Sequence, residues 1–446
     1  MAISSSARAT PALRPSGLRA PIPRVPMPRD PPRRPKELLA LPRWPLTAMF
    51  VWFPLWWLLG LAETAWIPFA VCMIVLMVRR GGIRVPRGFG LWALFLLLMM
   101  CSVIGIDSSG RMIGFVYRAL LYLTVTATFV YVYNARERLT TRYVLGVITL
   151  FWVYAWVGGL AGVIAPEFSF RTPLGYVLPA GLQSNELVGE MVTRRLTQYN
   201  PDSWLALEPR PAAPFLYTNT WGNVYSLTLP AVVAYLGLIP RGRRFWLVVL
   251  AIPVSFIPAI LTLNRGMLLG LGVSAVYLLL RLVVAGRTRA AIALGAVGVV
   301  AGVAMTALDV LDRLTSRVET SSSTQDRANL YQETFERTLR SPFFGYGAPR
   351  PSTIDGAPSA GTQGHVWAVM FSYGFPALAC FLLALIWLFV ATFRARSVTA
   401  LVLHALQLVV LVESFFYGVL PNGLMLSFIA AALVLRDRDP RLRESP

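Results

Sequence analysis

Charge is scarce in this sequence, and lysine is almost absent. Only 14% of the residues are charged against 56% hydrophobic. A soluble protein of 446 residues needs a more polar surface, so the composition excludes an ordinary soluble domain and indicates a polytopic membrane protein. Of 41 basic residues only Lys36 is lysine, a bias that fits GC-rich codons and carries no chemistry. Cysteine is rare too: Cys72, Cys101 and Cys380 all fall inside apolar runs. That placement excludes a zinc set and argues against disulfides. No internal repeat of the kind that marks many transporters is present.

What is abundant is apolar sequence in runs long enough to span a bilayer, roughly 17–25 residues each. Twelve such runs occur, at about 45–61, 62–78, 90–106, 112–133, 143–165, 221–239, 245–263, 266–284, 290–308, 366–393, 399–418 and 421–435. The expected fold is all-α, a polytopic integral membrane protein of about 12 transmembrane helices. Before them lie residues 1–44, rich in Pro and Arg, without the apolar stretch of a cleavable signal peptide. They are expected to form a disordered cytoplasmic tail, followed by a transmembrane domain over 45–435 and a basic cytoplasmic tail over 436–446.

The net charge of +20 is explained by topology and does not call for nucleic acid. With the N-terminus inside, each short inner loop is basic: Arg79, Arg80, Arg84 and Arg87; Arg136, Arg138 and Arg142; Arg241, Arg243 and Arg244; and three more sets like them. The short outer turns hold only Arg111 and Arg265. This is the positive-inside pattern, and it places both termini in the cytoplasm and the chain in a bacterial plasma membrane.

Two outer segments, about 166–220 and 309–365, are long, and long loops in compact proteins are functional or disordered. In the first, SNELVGEMVTRRL spaces Leu187, Val188, Met191, Val192 and Leu196 as a helix, with Ser184 as its cap. In the second, STQDRANLYQETFERTLRSP predicts a helix with a face of Ala328, Tyr331, Phe335 and Thr338, ended before Pro342. Both have the character of amphipathic helices lying over the outer membrane face.

Candidate chemistry gathers on that face. Arg171, Arg194, Arg195 and Arg210 lie in the first segment, and Arg313, Arg317, Arg327, Arg337, Arg340 and Arg350 in the second. Near them are Asn219 and Asn223 of YTNTWGN and Gln363 and His365 of GTQGHVW. Guanidinium forks match phosphate oxygens and stay charged, so converging arginines suit a pyrophosphate or polyanion, although a single one can simply snorkel to headgroups. Arg265 has less freedom. It sits between two apolar runs, with Gly266 permitting close backbone approach, and a charge at that depth is a functional candidate. Arg118 and Glu413 are intramembrane charges for which a structural ion pair is expected; His404, without an evident partner in sequence, is expected to be structural. The outer carboxylates form no D-x-D, and the first outer segment has no adjacent acidic pair. That argues against metal-dependent glycosyl transfer and against the polyprenyl-phosphate-sugar transferases.

The order of motifs resembles the O-antigen ligase and polymerase superfamily. The resemblance rests on Asn264-Arg265-Gly266 opening a helix, on FLYTNTWGNVYSLTLP (Phe215–Pro230), and on RANLYQETFERTLRSPFFGYG (Arg327–Gly347), and it covers roughly residues 90–435. It implies a membrane glycosyltransferase, ligase or polymerase, that moves a glycan from a polyprenyl pyrophosphate to an acceptor hydroxyl on the outer face. The implied chemistry is inverting and needs neither metal nor cofactor. Arg265 and Arg327 would hold the pyrophosphate leaving group with Arg210 as a third candidate, and Asn219, Asn223, Arg337 and Tyr346 would contact substrate. The family's late loop commonly carries a histidine with a glycine about eleven residues later; counting back from Gly374 reaches Gln363, not His365. Both are therefore candidates for the acceptor side, with the difference that glutamine cannot act as a base. The contrasting readings are a transporter or flippase for a lipid-linked anion, and a non-catalytic scaffold that binds glycan precursors.

Overall fold

The computed structural model describes residues 40–183, 186–198, 209–307, 323–354 and 356–438. Most of the two expected tails, together with Arg313 and Arg317, lies outside the described residues. The chain opens with α1 (Trp44–Val51), α2 (Phe53–Leu59), α3 (Trp66–Arg80) and α4 (Gly90–Cys101), followed by α5 (Ser109–Asn134) and α6 (Thr141–Ile164). Short pieces come next: β1 (Ser169–Arg171), α7 (Pro173–Val177), α8 (Ala180–Gln183), α9 (Glu186–Val192), β2 (Thr193–Arg195), β3 (Thr197–Gln198) and β4 (Arg210–Pro211). Long apolar helices resume as α10 (Thr218–Leu236), α11 (Arg243–Leu261), α12 (Arg265–Val284) and α13 (Thr288–Ala307). Helix α14 (Ser323–Thr338) precedes α15 (His365–Thr392), α16 (Val398–Glu413) and α17 (Asn422–Arg436).

Among the described residues, α5, α6, α11, α12 and α15 are long and apolar enough to cross a membrane by length and composition. Shorter apolar helices, such as Val398–Glu413 and Asn422–Arg436, pack between them. One continuous core joins them: α10 lies along α6, α12 along α16, α5 along α17, and α15 along α4. Around it, large apolar side chains such as Val78, Leu250, Val284 and Val300 are exposed, as expected of surfaces that meet hydrocarbon. This is a multi-pass membrane protein.

Three expectations need correction. The run at 45–61 is two short helices broken at Trp52 (φ −94°, ψ 15°), because Pro54 has no N–H to give the Phe50 carbonyl. The helix expected through Leu196 stops at Val192. There Thr193–Arg195 becomes a strand that pairs antiparallel with β1, Ser169 opposite Arg195, and β3 pairs with β4, Gln198 opposite Arg210. Partners distant in sequence thus outcompete a helical spacing. Helix α14 forms as expected, with Thr338 of the expected face buried, but the rest of the inward face differs. Leu330 and Thr334 are buried beside it, while Tyr331 is half-buried, stacking on Trp367 at 4.3 Å, and Ala328 and Phe335 are exposed.

Helix α15 is kinked where Gly374 takes φ +83° and Pro376 follows. Proline has no N–H to give residue 372, and the Phe375 N–H turns instead to the Pro342 carbonyl at 2.8 Å. The carbonyls of Phe371 and Ser372, left without helical donors, accept from the N–H groups of Tyr346 (3.0 Å) and Gly347 (2.7 Å). A Cβ on Gly374 would stand 2.6 Å from the Phe343 backbone. The S-P-x-x-G-x-G stretch after α14 therefore serves as the plug of this kink, and it ties α14 to the helix that begins at His365.

Candidate active site

The site is built on the turn between α11 and α12. Leu263, with φ +48°, is the only non-glycine residue in the left-handed region among the described residues, and it swings the chain so that Arg265 becomes the first residue of α12. Asn264 is buried. Its amide donates to the Thr218 carbonyl at 3.0 Å, and its side-chain oxygen accepts from the Tyr417 hydroxyl. The same hydroxyl accepts from the Met267 N–H at 2.7 Å, which satisfies one of the donors left over at any helix start. A Cβ on Gly266 would lie 2.5 Å from that hydroxyl oxygen, so the glycine is required for Tyr417 to enter. Asn264 and Gly266 thus fix the corner, and Arg265 projects from it with its side chain exposed.

Arg210 comes to the same corner from strand β4. Its Nε donates to the Thr262 carbonyl at 2.8 Å, three residues before Arg265. Asn219 is half-buried in the first turn of α10, beside Thr218. Asn223 lies one turn deeper and is fully buried, donating from Nδ2 to Glu413 Oε2 at 2.6 Å. It supports the corner from below and does not face outward.

The α16–α17 turn links this corner to the start of α15. The His365 N–H donates to the Tyr417 carbonyl at 2.8 Å, and the Val366 N–H to the Ser414 carbonyl at 2.9 Å. The His365 ring is buried, its Nε2 hydrogen-bonded with the Tyr122 hydroxyl at 2.8 Å and its face against Phe381. Arg118 lies near His365 and Tyr373. Gln363, two residues before His365, is only half-buried. The ion pair expected between Arg118 and Glu413 is not among the salt bridges of the described residues: Glu413 takes Asn223, and the Arg118 Nη1 is buried without a hydrogen-bond partner. His404, contrary to its lone appearance in sequence, is well partnered, with Thr392 Oγ1 at 2.8 Å on Nδ1 and Tyr277 Oη at 2.7 Å on Nε2.

The remaining candidates fall elsewhere. Arg327 lies in α14, and its side chain is outside the described residues. Arg337 is committed to Glu333 at 2.8 Å, to the Pro351 carbonyl at 2.8 Å and to the face of Phe371; Tyr346 donates to the Arg337 carbonyl at 2.7 Å. Arg350 bridges to Asp107 at 3.0 Å and lies over the Tyr346 ring. These three brace the second segment against α4 and α15. In the first segment, Arg194 is 1% exposed, with Glu63, Glu190 and Tyr117 as its charged or polar surroundings. Burial pushes the Glu63 carboxyl above the usual range, with Arg194 pulling it back.

Sequence reasoning passed over Tyr417 and Tyr122, which fall inside the apolar runs 399–418 and 112–133. The two tyrosines hold the two ends of the site together, and no local spacing announces that role.

Arg265 and Arg210 stand at one corner over a buried polar seam, in a bundle of apolar helices that defines a multi-pass membrane protein. Residues 247–381 match the family model described as O-antigen ligase, which supports the O-antigen ligase and polymerase superfamily and a role in glycan assembly at the membrane. The matched stretch contains Arg265, Arg327, Gln363 and His365. No curated protein matches the chain.

Proposed function

We propose that the protein transfers a glycan from a polyprenyl-pyrophosphate carrier to an acceptor hydroxyl on the outer membrane face, as a ligase or polymerase, without a metal ion. The observation that carries this reading is the shared corner: Arg210 is tied to the Thr262 carbonyl, three residues before Arg265, which opens a helix whose dipole also favours anions. In the reaction the acceptor oxygen bonds to the anomeric carbon from the face opposite the leaving group, giving inversion. The carbon–oxygen bond to pyrophosphate breaks, and its electron pair stays on the diphosphate. Arg265 and Arg210 stabilise the charge that develops there, the largest single lever available to such a site, and Arg327 from α14 completes the clamp. Gln363, the more open of the two late-loop candidates, orients the acceptor hydroxyl. His365, held by Tyr122, positions that loop through its bonds to the α16–α17 turn; the hydroxyl proton leaves to His365 or to the departing diphosphate.

The test is reconstitution with a polyprenyl-pyrophosphate oligosaccharide and candidate acceptors, comparing wild type with Arg265→Ala and Arg327→Ala. Folded variants that transfer glycan at the normal rate would overturn the mechanism. In a deletion strain, donor stranded on the inner leaflet with attachment otherwise intact would identify a flippase instead.

A further inference from the structure

At the far end of α6, α10 and α11 from Arg265 there is a second concentration of arginine, with a cavity of about 600 Å³ beneath it. That volume is in the range of small-molecule sites, roughly 300–1,000 Å³. Its rim carries Arg43, Arg142 and Arg244, and no acidic residue lines it. Arg142 and Arg244 are exposed. Arg43 lies over the Tyr143 ring at 4.8 Å, whose hydroxyl in turn bonds Thr47 at 2.6 Å. Below the rim the lining turns apolar, with Val51, Val147, Leu150, Val153 and Val248 running down between α1, α6 and α11. Exposed Trp44 and Trp246 flank the arginines on both sides, the position that indole rings take at headgroup level.

We propose that this groove binds an acidic membrane phospholipid, its phosphate among Arg43, Arg142 and Arg244 and an acyl chain along the apolar wall. Three observations select a lipid over a soluble anion. The charged and apolar parts are stacked along the helix axes, the lining helix α11 carries exposed apolar side chains beside the groove's Val248 (Leu247, Leu250), and the tryptophans set the depth of the rim. Basic pockets between membrane helices are suited to such headgroups. The site is separate from the transfer corner: α10 alone, with 19 residues, puts about 28 Å between them at 1.5 Å per residue.

The experiment is native mass spectrometry of the full chain in detergent, titrated with phosphatidylglycerol, cardiolipin or phosphatidylcholine. The acidic lipids are expected to give retained adducts and phosphatidylcholine few. The double variant Arg142→Ala/Arg244→Ala should lower adduct occupancy about thirtyfold, at roughly 1 kcal/mol per basic residue near a headgroup. Arg287→Ala/Arg289→Ala, which removes two exposed arginines from a different turn, should leave the adducts unchanged. Leu150→Trp fills the apolar wall and keeps every arginine; it too should remove adducts while the melting temperature stays within a few degrees. Equal retention of all three lipids, equal losses from both arginine pairs, or full displacement by millimolar inorganic phosphate with Leu150→Trp inert would overturn the proposal.

Discussion

The arginines at the two ends of α10 and α11 stand in opposite kinds of surroundings. At the Arg265 end they rise from a buried polar seam, in which Asn264, Tyr417, Asn223 and Glu413 are hydrogen-bonded to one another or to backbone. At the Arg142 end they ring an apolar groove, where Arg43 is held by the Arg138 carbonyl and the Tyr143 ring while Arg142 and Arg244 are exposed. The difference teaches what each end is suited to do. A charge rising from a braced backbone corner suits a developing transition-state charge, where misplacement is costly. Charges on flexible stems above a greasy wall suit a headgroup that needs attraction more than register.

The contrast is broken most directly at Arg265. Arg265→Ala should lower glycan transfer by about 10²–10³-fold, the usual cost of removing one preorganised charge stabiliser, and Arg265→Lys should recover only part of it, because an ammonium lacks the bidentate fork. A transfer assay in proteoliposomes reads both.

Tyr417→Phe tests whether the seam is what makes that end rigid. It removes the acceptor of the Met267 N–H and the donor to Asn264, at about 1–3 kcal/mol for groups left buried and unpaired. The expected result is a lower melting temperature together with loss of transfer, although Tyr417 itself carries no charge to the substrate. An unaffected melting curve would mean that the corner is held by something other than this hydroxyl.

Gly374→Ala acts on the kink plug. A Cβ there meets the Phe343 backbone, and the residue needs φ +83°, so a cost of about 1–3 kcal/mol is expected from the strained backbone. Limited proteolysis should find the 341–347 stretch released from α15.

The smallest expected effect concerns pH. Burial pushes the Glu333 carboxyl upward, but hydrogen bonds from Ser352, the Thr353 N–H and Arg337 outweigh it and hold the carboxyl below the ordinary range. A depressed folded value means that the stability it lends is present above about pH 4.3 and is lost as pH falls through the folded value. The protection of the amides of residues 352–354, taken relative to their intrinsic exchange rates, should fall on acidification in the wild type, and Glu333→Gln should remove that pH dependence of the protection over the same window.

Much of this was legible in sequence. Long apolar runs report helices because the bilayer leaves no other partner for the backbone, and α5, α6, α11, α12 and α15 follow them closely. Asn264-Arg265-Gly266 was legible as a corner for a similarly local reason: charge, turn and glycine are adjacent. The strand at Thr193–Arg195 was not, since its pairing partner lies more than twenty residues upstream in β1. Nor was the pairing of the buried charges. Arg118 and Glu413 looked suited to each other by sign, yet Glu413 takes the neutral Asn223 through Oε2, while its Oε1 and the Arg118 Nη1 are buried without a hydrogen-bond partner.

Composition and periodicity, on their own, determined that this chain is a bundle of apolar helices carrying arginine in two long segments, because hydrophobicity and charge are properties of residues one at a time. Tertiary structure decided which arginines share a corner, which brace a loop and which stand over a groove. Those assignments depend on distances between side chains tens to hundreds of residues apart, such as Tyr417 to Asn264 and Tyr122 to His365, and such distances exist only once the helices have packed.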